Sequence, residues 1–416
     1  MPTFPIPIIK AIVRIGPADS CAVVDHCRKI AAFSDERGAI TRTFLGPAIR
    51  DCLAYFTDWA ERIGMQNVRV DAAGNFRALL PGSGTKRLII GSHIDSVPNA
   101  GAFDGVLGVV LGMALAESFQ GSQPVCDLEI VGFSEEEGVR FRRPFIGSTA
   151  FVNGLDEEFL YQVDGAGITV KQAIEDFGLD SKGVSQPQME PADAYLEFHI
   201  EQGPVLESLG LPIGIVDAIA GQTRATIEFI GQANHAGTTP MNLRHDAFCA
   251  AAEWALVVER TANDDIGLVA TVGSVRVLPD AGNIVPGRAI LSLDLRHSRD
   301  SVRLTAFDAL LNEGRQIATR RKVGFQSTLR LNQKAVPMNC DLTARIERAV
   351  LQAGANPHYM ISGAGHDAMI LAQRLPCCMI FLRSPGGISH HPDESVLLED
   401  VDVALKAGRA FVDNFK

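Results

Sequence analysis

The fold of this chain is decided by Arg87-Leu88-Ile89-Ile90-Gly91-Ser92-His93-Ile94-Asp95, a mainly apolar run that ends in an imidazole and a carboxylate. Residues 87–90 predict a short buried strand. Small and apolar residues at helical spacing follow over residues 105–119 and predict a helix. A strand, a functional loop and a helix in this order are typical of one unit of a parallel sheet.

The same alternation continues on either side of two further polar motifs. Residues 126–133 predict a strand that runs into Glu135-Glu136-Glu137, and residues 194–200 predict a strand that carries His199 near its end. The pattern predicts an α/β domain with a mixed, mostly parallel sheet and helices on both faces. Because ligands gather at the carboxyl ends of such strands, we expect the three motifs to meet.

The middle of the chain has a different order of elements. It predicts β-α-β-β-α-β, the pattern of a ferredoxin-like α+β domain, inserted at residues 217–334. The predicted elements are residues 224–230, 244–260, 268–278, 289–296, 300–319 and 323–331. Residues 1–216 and 335–416 then form one larger domain, which resumes with helices near 342–353 and after 366, a strand at 377–382 and a helix at 398–415. An inserted domain of this kind suggests a lid or a dimer interface.

Composition narrows the class of protein. The net charge of -11 argues against a nucleic-acid or anionic-membrane partner. No stretch approaches the roughly 18 apolar residues of a membrane span. Residues 1–15 are broken by prolines and lack a basic start, so we expect no signal peptide and a cytoplasmic location. The eight cysteines include no Cys-x-x-Cys pair and predict reduced, packing thiols.

His93, Asp95 and Asp104 are candidates for a metal site at the first strand. The His93 imidazole suits a divalent metal, and Asp95, two residues on, suits orientation of that ring. Asp104 lies between glycines in Gly101-Ala102-Phe103-Asp104-Gly105 and could bridge two metals. It could instead cap the helix that follows.

The acidic turn offers two carboxylates for different tasks. We assign Glu137 to the metal and Glu136 to general base and acid catalysis, and we expect Glu135 to be exposed. A solvated charge run is the plainer alternative.

His199 and His390 complete two predicted ligand groups. The first ligand group is His93, Asp104 and His199, and the second ligand group is Asp104, Glu137 and His390, with Asp104 shared. Two divalent ions sharing one carboxylate can polarise a carbonyl and activate water. Zn²⁺ is the first choice, and Mn²⁺, Ni²⁺ or Co²⁺ also suit these ligands. Spacing alone leaves His391 as an alternative to His390.

These motifs resemble the hydantoinase/carbamoylase branch of the dinuclear-metal amidohydrolases and peptidases. The resemblance rests on His199 in His-Ile-Glu-Gln-Gly-Pro and on segments that include residues 91–97, 103–105, 136–141, 235–241, 282–287, 363–368 and 387–390. It implies a zinc-peptidase-like catalytic domain. It also favours His390 over His391 and supports the roles given to Glu136 and Glu137.

The resemblance also implies residues that bind the substrate and a homodimeric assembly. His235 would hydrogen-bond the substrate carbonyl, Arg296 would bind the substrate carboxylate, and Asn283 would orient polar groups. Gln202 and the backbone of Gly365 would line a ureido pocket. The inserted domain would complete the active site of the neighbouring subunit. From the residues alone, Asn283 is a natural turn residue and Asp367 a helix cap.

The expected reaction is hydrolysis of the carbamoyl C–N bond of a linear ureido acid of the N-carbamoyl-L-amino-acid type. The products would be an amino acid, ammonia and carbon dioxide. Alternatives are allantoate or ureidoglycolate hydrolysis, a dimetal aminoacylase or peptidase, and a non-catalytic binding protein. Thr223 stands where allantoate-specific relatives carry arginine, so we expect one cation fewer in that pocket.

Overall fold

The structure, a computed structural model, describes residues 19–416, and residues 1–15, for which no signal peptide is expected, lie outside this range. The described residues divide into two compact units. One contains the chain through Ile215 together with Asn339–Tyr359 and His366–Lys416, and the other contains Val216–Met338 and Met360–Gly365. The short segment Met360–Gly365 therefore groups with the inserted residues, although it lies beyond residue 334.

The described residues contain twelve α-helices. They are α1 (Ser20–Ala31), α2 (Pro47–Arg62), α3 (Val106–Glu117), α4 (Ile146–Val152), α5 (Glu157–Leu160), α6 (Val170–Phe177), α7 (Val205–Leu209), α8 (Ala247–Asp264), α9 (Asp300–Arg321), α10 (Cys340–Gln352), α11 (Ala368–Leu371) and α12 (Leu398–Asp413). No helix in this part of the chain is long and apolar enough to cross a membrane.

Sixteen β-strands accompany these helices in the described residues. They are β1 (Gln66–Val70), β2 (Phe76–Leu80), β3 (Arg87–His93), β4 (Asp127–Phe133), β5 (Ala194–Ile200), β6 (Ile213–Ile219), β7 (Gly221–Ile230), β8 (Asn234–His235), β9 (Val269–Thr271), β10 (Val275–Leu278), β11 (Ile284–Val285), β12 (Arg288–His297), β13 (Gly324–Gln333), β14 (Val336–Pro337), β15 (Tyr359–Ser362) and β16 (Cys377–Leu382).

The main sheet brings the predicted motifs to one edge. Its order begins β1-β2-β4-β3-β5-β16 and continues through β6, the strand in which the division between the units falls. β3 runs parallel to β4 and β5, and β16 runs parallel to β5, whereas β1 and β2 are antiparallel. The carboxyl ends of β3, β4 and β5 therefore point the same way, so the His93, Glu135–Glu137 and His199 segments begin side by side.

Burial explains why the central strands are apolar throughout. Every residue of β5 and of β16 is buried, so both faces of the sheet are covered at its centre. α3 is apolar around its whole circumference, and all of its residues except Glu117 are buried. The predicted α/β class is confirmed.

The inserted unit has the predicted β-α-β-β-α-β order. Its sheet order is β10-β12-β7-β13, with β9 also paired to β12, and its described pairs are antiparallel. The predicted strand at 268–278 is two strands, because β9 pairs with Asp294–Arg296 and β10 pairs with Leu291–Arg288. Between β9 and β10, the Ser274 N–H donates to the side-chain hydroxyl of Ser292 at 2.9 Å. A lid or dimerisation role for this unit stays a prediction.

A buried histidine between α1 and α2 gives the fold a pH dependence. The His26 ring stacks on Trp59 with 3.8 Å between ring centroids, and His26 Nδ1 lies 2.6 Å from the Tyr55 hydroxyl. Burial, aided by the charges of Lys29 and Arg62, lowers the pKa of His26 from 6.5 to about 4. Below pH 6.5 the unfolded chain therefore takes up a proton that the folded chain refuses, so stability falls as the pH drops toward 4.

We expect His26→Phe to reduce this loss, because phenylalanine can stack on Trp59 without titrating. Between roughly pH 7 and 5.5, the free energy of unfolding of the wild-type protein should fall by about 1 kcal/mol more than that of the variant. Chemical denaturation at both pH values measures the difference. Parallel pH profiles for the two proteins would contradict the assignment.

Candidate active site

Asp95 fixes the orientation of His93 and of the acidic turn together. His93 Nδ1 lies 3.3 Å from Asp95 Oδ1 and 3.3 Å from the Asp95 carbonyl oxygen, so Nδ1 carries the proton and Nε2 presents its lone pair. The Asp95 carboxylate also accepts the backbone N–H groups of Glu136 and Glu137, at 2.9 and 3.1 Å. One buried carboxylate thus holds two motifs in register.

His199 meets His93 at the end of the neighbouring strand. Its Nδ1 donates to the carbonyl oxygen of Ile200 at 2.9 Å, which leaves Nε2 free to act as a ligand. His199 Nε2 lies 3.4 Å from His93 Nε2 and 3.2 Å from Asp104 Oδ1. The two lone pairs converge on one carboxylate oxygen.

Asp104 lies at the centre of the cluster. Its Oδ1 is 3.8 Å from His93 Nε2, and its Oδ2 is 3.0 Å from His390 Nε2. Gly105 follows with φ 68°, and a Cβ there would come within 2.4 Å of the His93 ring, so only glycine permits this approach. The α3 N-cap is Gly105 and makes no side-chain cap bond, so Asp104 does not cap that helix.

His390 and Glu137 complete the second ligand group on the other side of Asp104. His390 Nε2 lies 3.5 Å from Glu137 Oε1. In each of the two predicted ligand groups the possible ligand atoms lie within 4.8 Å of one another, and Asp104 belongs to both. His391 is in neither group: its side chain is 58% exposed and lies beside Asp393, with 3.6 Å between Nδ1 and Oδ2.

The pKa values of Asp104, Glu137 and His390 depend on one another. Burial alone would raise the pKa of Asp104, but the His390 hydrogen bond and the neighbouring His199 and His93 rings lower it well below its usual range. Burial and the Asp104 charge raise the pKa of Glu137 to about 7. The pKa of His390 rises to about 9, chiefly through its hydrogen bond to Asp104. A cation bound here would therefore be stabilised by the carboxylates of Asp104 and Glu137.

The residues present fit a divalent metal. Asp104 Oδ1 is buried and makes no hydrogen bond within the described residues, which costs free energy unless a cation meets it. Neutral imidazole nitrogens and carboxylate oxygens are ligands that Zn²⁺, Mn²⁺ and Co²⁺ accept. Two non-glycine residues with left-handed backbone, Gln202 (φ 59°) and His390 (φ 55°), lie at the same place, as strained residues often do in functional sites.

Comparison with known proteins gives the family of this site. Residues 89–414 match the family described as Peptidase family M20/M25/M40. The chain belongs to this family. The match includes both ligand groups and the acidic turn, and the M20 family is metal-dependent.

Relatives within the M20 family include amidohydrolases. The N-carbamoyl-L-amino acid amidohydrolase of Geobacillus stearothermophilus is 40% identical over 344 residues, which are 81% of this chain and 84% of that protein. A protein of Oryza sativa subsp. japonica named "Probable allantoate deiminase" is 35% identical and covers 93% of this chain and 86% of its own.

A solved structure shares the fold over nearly the whole length. The hydantoinase/carbamoylase family amidase of Burkholderia multivorans has a TM-score of 0.90 at 30% identity, covering 95% of this chain and 98% of its own. The predicted resemblance is confirmed. The prediction of a hydrolase that acts on C–N amide bonds is confirmed as well, because relatives of the chain are named amidohydrolases.

Four of the predicted substrate residues of this M20 protein, His235, Asn283, Arg296 and Gly365, lie in the inserted unit. His235 in β8 pairs with Ile284 in β11, and the carbonyl oxygen of Asn283 accepts the Ala236 N–H at 2.9 Å. His235 Nδ1 accepts the N–H groups of Gly237 and Thr238, at 3.1 and 3.2 Å. The proton of the neutral ring is therefore on Nε2, which makes His235 a hydrogen-bond donor.

Arg296 is held by an ion pair that leaves part of its guanidinium available. Its Nε and Nη2 donate to Asp294 at 2.8 and 2.9 Å, and its Nη1 donates to the Gly363 carbonyl oxygen at 2.6 Å. One N–H on each terminal nitrogen remains for a further acceptor. Gly365, predicted to offer its backbone, belongs to the same short segment, Met360–Gly365.

Gln202 lies in the metal centre of the M20 fold. Its Nε2 is 3.2 Å from Asp104 Oδ2, 3.1 Å from the Ser389 hydroxyl and 3.3 Å from His390 Nε2. The amide thus contacts the shared carboxylate directly. A part in a ureido pocket stays a prediction.

Two predictions about acidic residues are wrong. Glu135 is fully buried, because its carboxylate accepts the backbone N–H groups of Phe44 and Val139 at 2.9 Å each. Asp367 stands at the N-cap position of α11, but its side chain makes no cap hydrogen bond to that helix.

The argument from Thr223 also fails. Thr223 is buried and accepts from the Arg303 guanidinium, on the helix-covered face of β7 with Ala225 and Ile227. Arg224 lies on the opposite, open face, where it contacts Asp294. Position 223 therefore lies on the opposite face of the sheet from Arg296, which removes the reason to expect its side chain in a pocket around Arg296.

Two buried glutamates were not predicted from the sequence. Glu197 precedes His199 on β5 and accepts from the Tyr195 hydroxyl and the Ala368 N–H, at 3.1 and 2.9 Å. Glu394 accepts the N–H groups of Phe103 and Asp104, at 2.8 and 3.0 Å. Burial is the first cause that raises the pKa of each to about 7. For Glu197, the alternation of Tyr195, Glu197 and His199 on β5 indicates that its side chain shares a face of the strand with His199. No comparable sequence pattern marks Glu394.

Proposed function

We propose that this M20 protein hydrolyses the carbamoyl C–N bond of a linear ureido acid of the N-carbamoyl-L-amino-acid type. The observation that carries the proposal is the meeting of two ligand groups on one carboxylate, Asp104, beside Glu136, whose carboxyl also lies in a third group of possible ligand atoms with His93 and Glu137. The names of the relatives support a ureido substrate. The products would be an amino acid, ammonia and carbon dioxide.

We infer two divalent ions, one in each ligand group. When bound, they would lower the pKa of a water from 15.7 to about 7 and polarise the carbamoyl carbonyl group. Zn²⁺ is the first expectation for imidazole and carboxylate ligands.

Glu136 is the proposed proton carrier. Burial, and the charges of Glu137 and Asp367 against that of His93, raise the pKa of Glu136 well above its usual range. Its carboxylate takes a proton from the attacking water and returns it to the leaving nitrogen. The Asp95 bond to its backbone N–H keeps it beside the ligands.

The inserted unit supplies the proposed substrate contacts. His235 Nε2–H would donate to the carbonyl oxygen as negative charge develops there. The two remaining N–H groups of Arg296 would bind the substrate carboxylate in a two-pronged contact, which lysine cannot reproduce. Asn283 would orient the ureido group.

The test is ammonia release from several N-carbamoyl-L-amino acids by metal-loaded protein. Allantoate, ureidoglycolate, N-acetyl amino acids and dipeptides are assayed in parallel, and an N-alkylurea without a carboxylate tests the part of Arg296. We expect fast release from an N-carbamoyl-L-amino acid and slow release from the N-alkylurea. Turnover of only N-acetyl or dipeptide substrates would replace the proposal with an aminoacylase or peptidase. Turnover of only allantoate would make it an allantoate amidohydrolase.

His235→Gln should lower kcat by about 10²–10³-fold with a smaller change in KM, because the lost donor acts on charge that develops in the transition state. His245→Gln is a matched control in the same unit, where His245 Nδ1 contacts the Lys322 carbonyl oxygen at 2.6 Å. Steady-state kinetics on the preferred ureido acid measures both. An unchanged kcat in His235→Gln would contradict the role.

We also propose a homodimer in which the inserted unit of one chain serves the site of the other. Co-expressed His235→Gln and Glu136→Gln chains should then recover about one quarter of wild-type turnover, because a mixed dimer contains one site with both intact residues. Either variant alone stays inactive. Mixed dimers without recovery would show that His235 acts in its own chain.

A further inference from the structure

Glu394 joins the two loops that carry Asp104 and His390. Its side chain is buried, with 5% exposed, and its Oε1 accepts the N–H groups of Phe103 and Asp104. Its Oε2 lies 3.4 Å from the Ser389 hydroxyl, and the Glu394 N–H donates to the His391 carbonyl oxygen at 3.0 Å. One carboxylate therefore spans the backbone of one ligand loop and a side chain of the other.

The first loop is shaped to receive this carboxylate. A Cβ on Gly101 would lie 2.3 Å from Glu394 Cβ and 2.5 Å from its Oε1. Such contacts are far shorter than van der Waals distance, so glycine at 101 is needed for Glu394 to fit. The close approach then fixes the backbone of Asp104 only a few bonds from its metal-facing oxygens.

The second ligand group depends on these loops more than the first does. His93 and His199 lie at the ends of β3 and β5, where the sheet holds them. Asp104 and His390 lie in loops, and the Ser389 hydroxyl is 3.4 Å from Asp104 Oδ2 and from Glu394 Oε2. Loosening Glu394 would therefore separate Asp104 from His390 while the two strand-borne histidines stay in place.

We propose that Glu394 is a positioning residue that sets the metal affinity of the second ligand group by holding the Asp104 and His390 loops together. Its carboxylate is in none of the groups of possible ligand atoms among the described residues. The proposal rests on the two-ion site of the proposed function, but it concerns binding of the metal alone.

The test is titration of the metal-free protein with Co²⁺ against a competing chelator, which resolves the tighter and the weaker ion. Glu394→Leu should weaken one ion by about 10–100-fold and the other, which keeps the strand-borne His93 and His199, by clearly less, because partners of ligands typically contribute that much to metal affinity. Glu394→Gln keeps an oxygen for the two N–H groups and should restore binding of the affected ion.

The matched control is Asp164→Leu, which removes a carboxylate that accepts the N–H groups of Ala166 and Ile168, at 2.9 and 3.0 Å. It should leave both ions unchanged. Glu394→Asp, whose shorter side chain cannot reach both N–H groups, replaces Glu394→Leu if the latter does not fold. Equal weakening of both ions, no weakening, or no rescue by Glu394→Gln would overturn the proposal. Absence of ammonia release with the Co²⁺ pattern intact would overturn only the proposed function.

Discussion

Glu136→Gln lowers kcat for the ureido substrate by about 10²–10⁴-fold while both metal ions remain bound, which is the range that general acid–base catalysis supplies. Glutamine has the shape of glutamate, and the Asp95 bond to the backbone N–H of residue 136 is unaffected by the change. Glu136 is in neither group that contains Asp104, although it lies with His93 and Glu137 in a third group of possible ligand atoms, so metal content must be measured. The amide cannot accept a proton from water, so only the proton transfer is lost.

The measurement pairs ammonia release with metal content by mass spectrometry on the same sample. Glu61→Gln, the same change at an exposed position of α2, is the control and should behave as wild type. A variant that loses its metals would make Glu136 a ligand. A variant that keeps normal turnover would exclude it as the base.

Asp104→Asn should remove metal from both ligand groups. Asp104 is the one residue the groups share, and its two oxygens face different histidines: Oδ1 faces His199 and Oδ2 faces His390. Asparagine offers one neutral oxygen in place of a charged pair. Since even partners of ligands contribute about 10–100-fold to affinity, loss of the shared ligand should cost more than that at each ion.

Metal content measured after dialysis against a chelator checks this expectation, and circular dichroism then tests whether the variant remains folded. The fold should survive, because residue 104 donates to the Glu394 carboxylate through its backbone N–H, which the substitution keeps. Asp393→Asn makes the same change at a side chain that is 78% exposed and should retain both ions. Full metal content in Asp104→Asn would refute a bridging role.

The ligand set could be predicted because its members follow predicted strands. The side chain of a polar residue at the carboxyl end of a buried strand is confined to that edge of the sheet. Parallel neighbouring strands bring such ends together. His93, Glu137 and His199 are of this kind. His390 lies in a loop, and only the family resemblance separated it from His391.

The contacts that the sequence did not predict are loop contacts between distant segments. Glu394 meets Asp104 across 290 positions, and Glu135 meets Phe44 across 91. Nothing periodic marks such a pair, because each acid accepts backbone N–H groups rather than a complementary side chain. A charge run therefore predicted an exposed Glu135, whereas the backbone buries it.

The face of Thr223 could have been predicted from the alternation on β7. Thr223, Ala225, Ile227 and Phe229 alternate with the more polar Arg224, Thr226 and Glu228, and the first set is buried. Side chains two residues apart share a face of a strand, which places Thr223 under the helices and Arg224 opposite. A match of residue types at position 223 does not by itself show which face of β7 the side chain occupies.

We expect hydrolysis of a ureido acid to need two ions that share Asp104. Ammonia release from an N-carbamoyl-L-amino acid, measured as metal-free protein is titrated with Zn²⁺, tests it most directly. We expect no release without metal and a maximum at about two ions per chain. A maximum at one ion, or release that is independent of added metal, would contradict it.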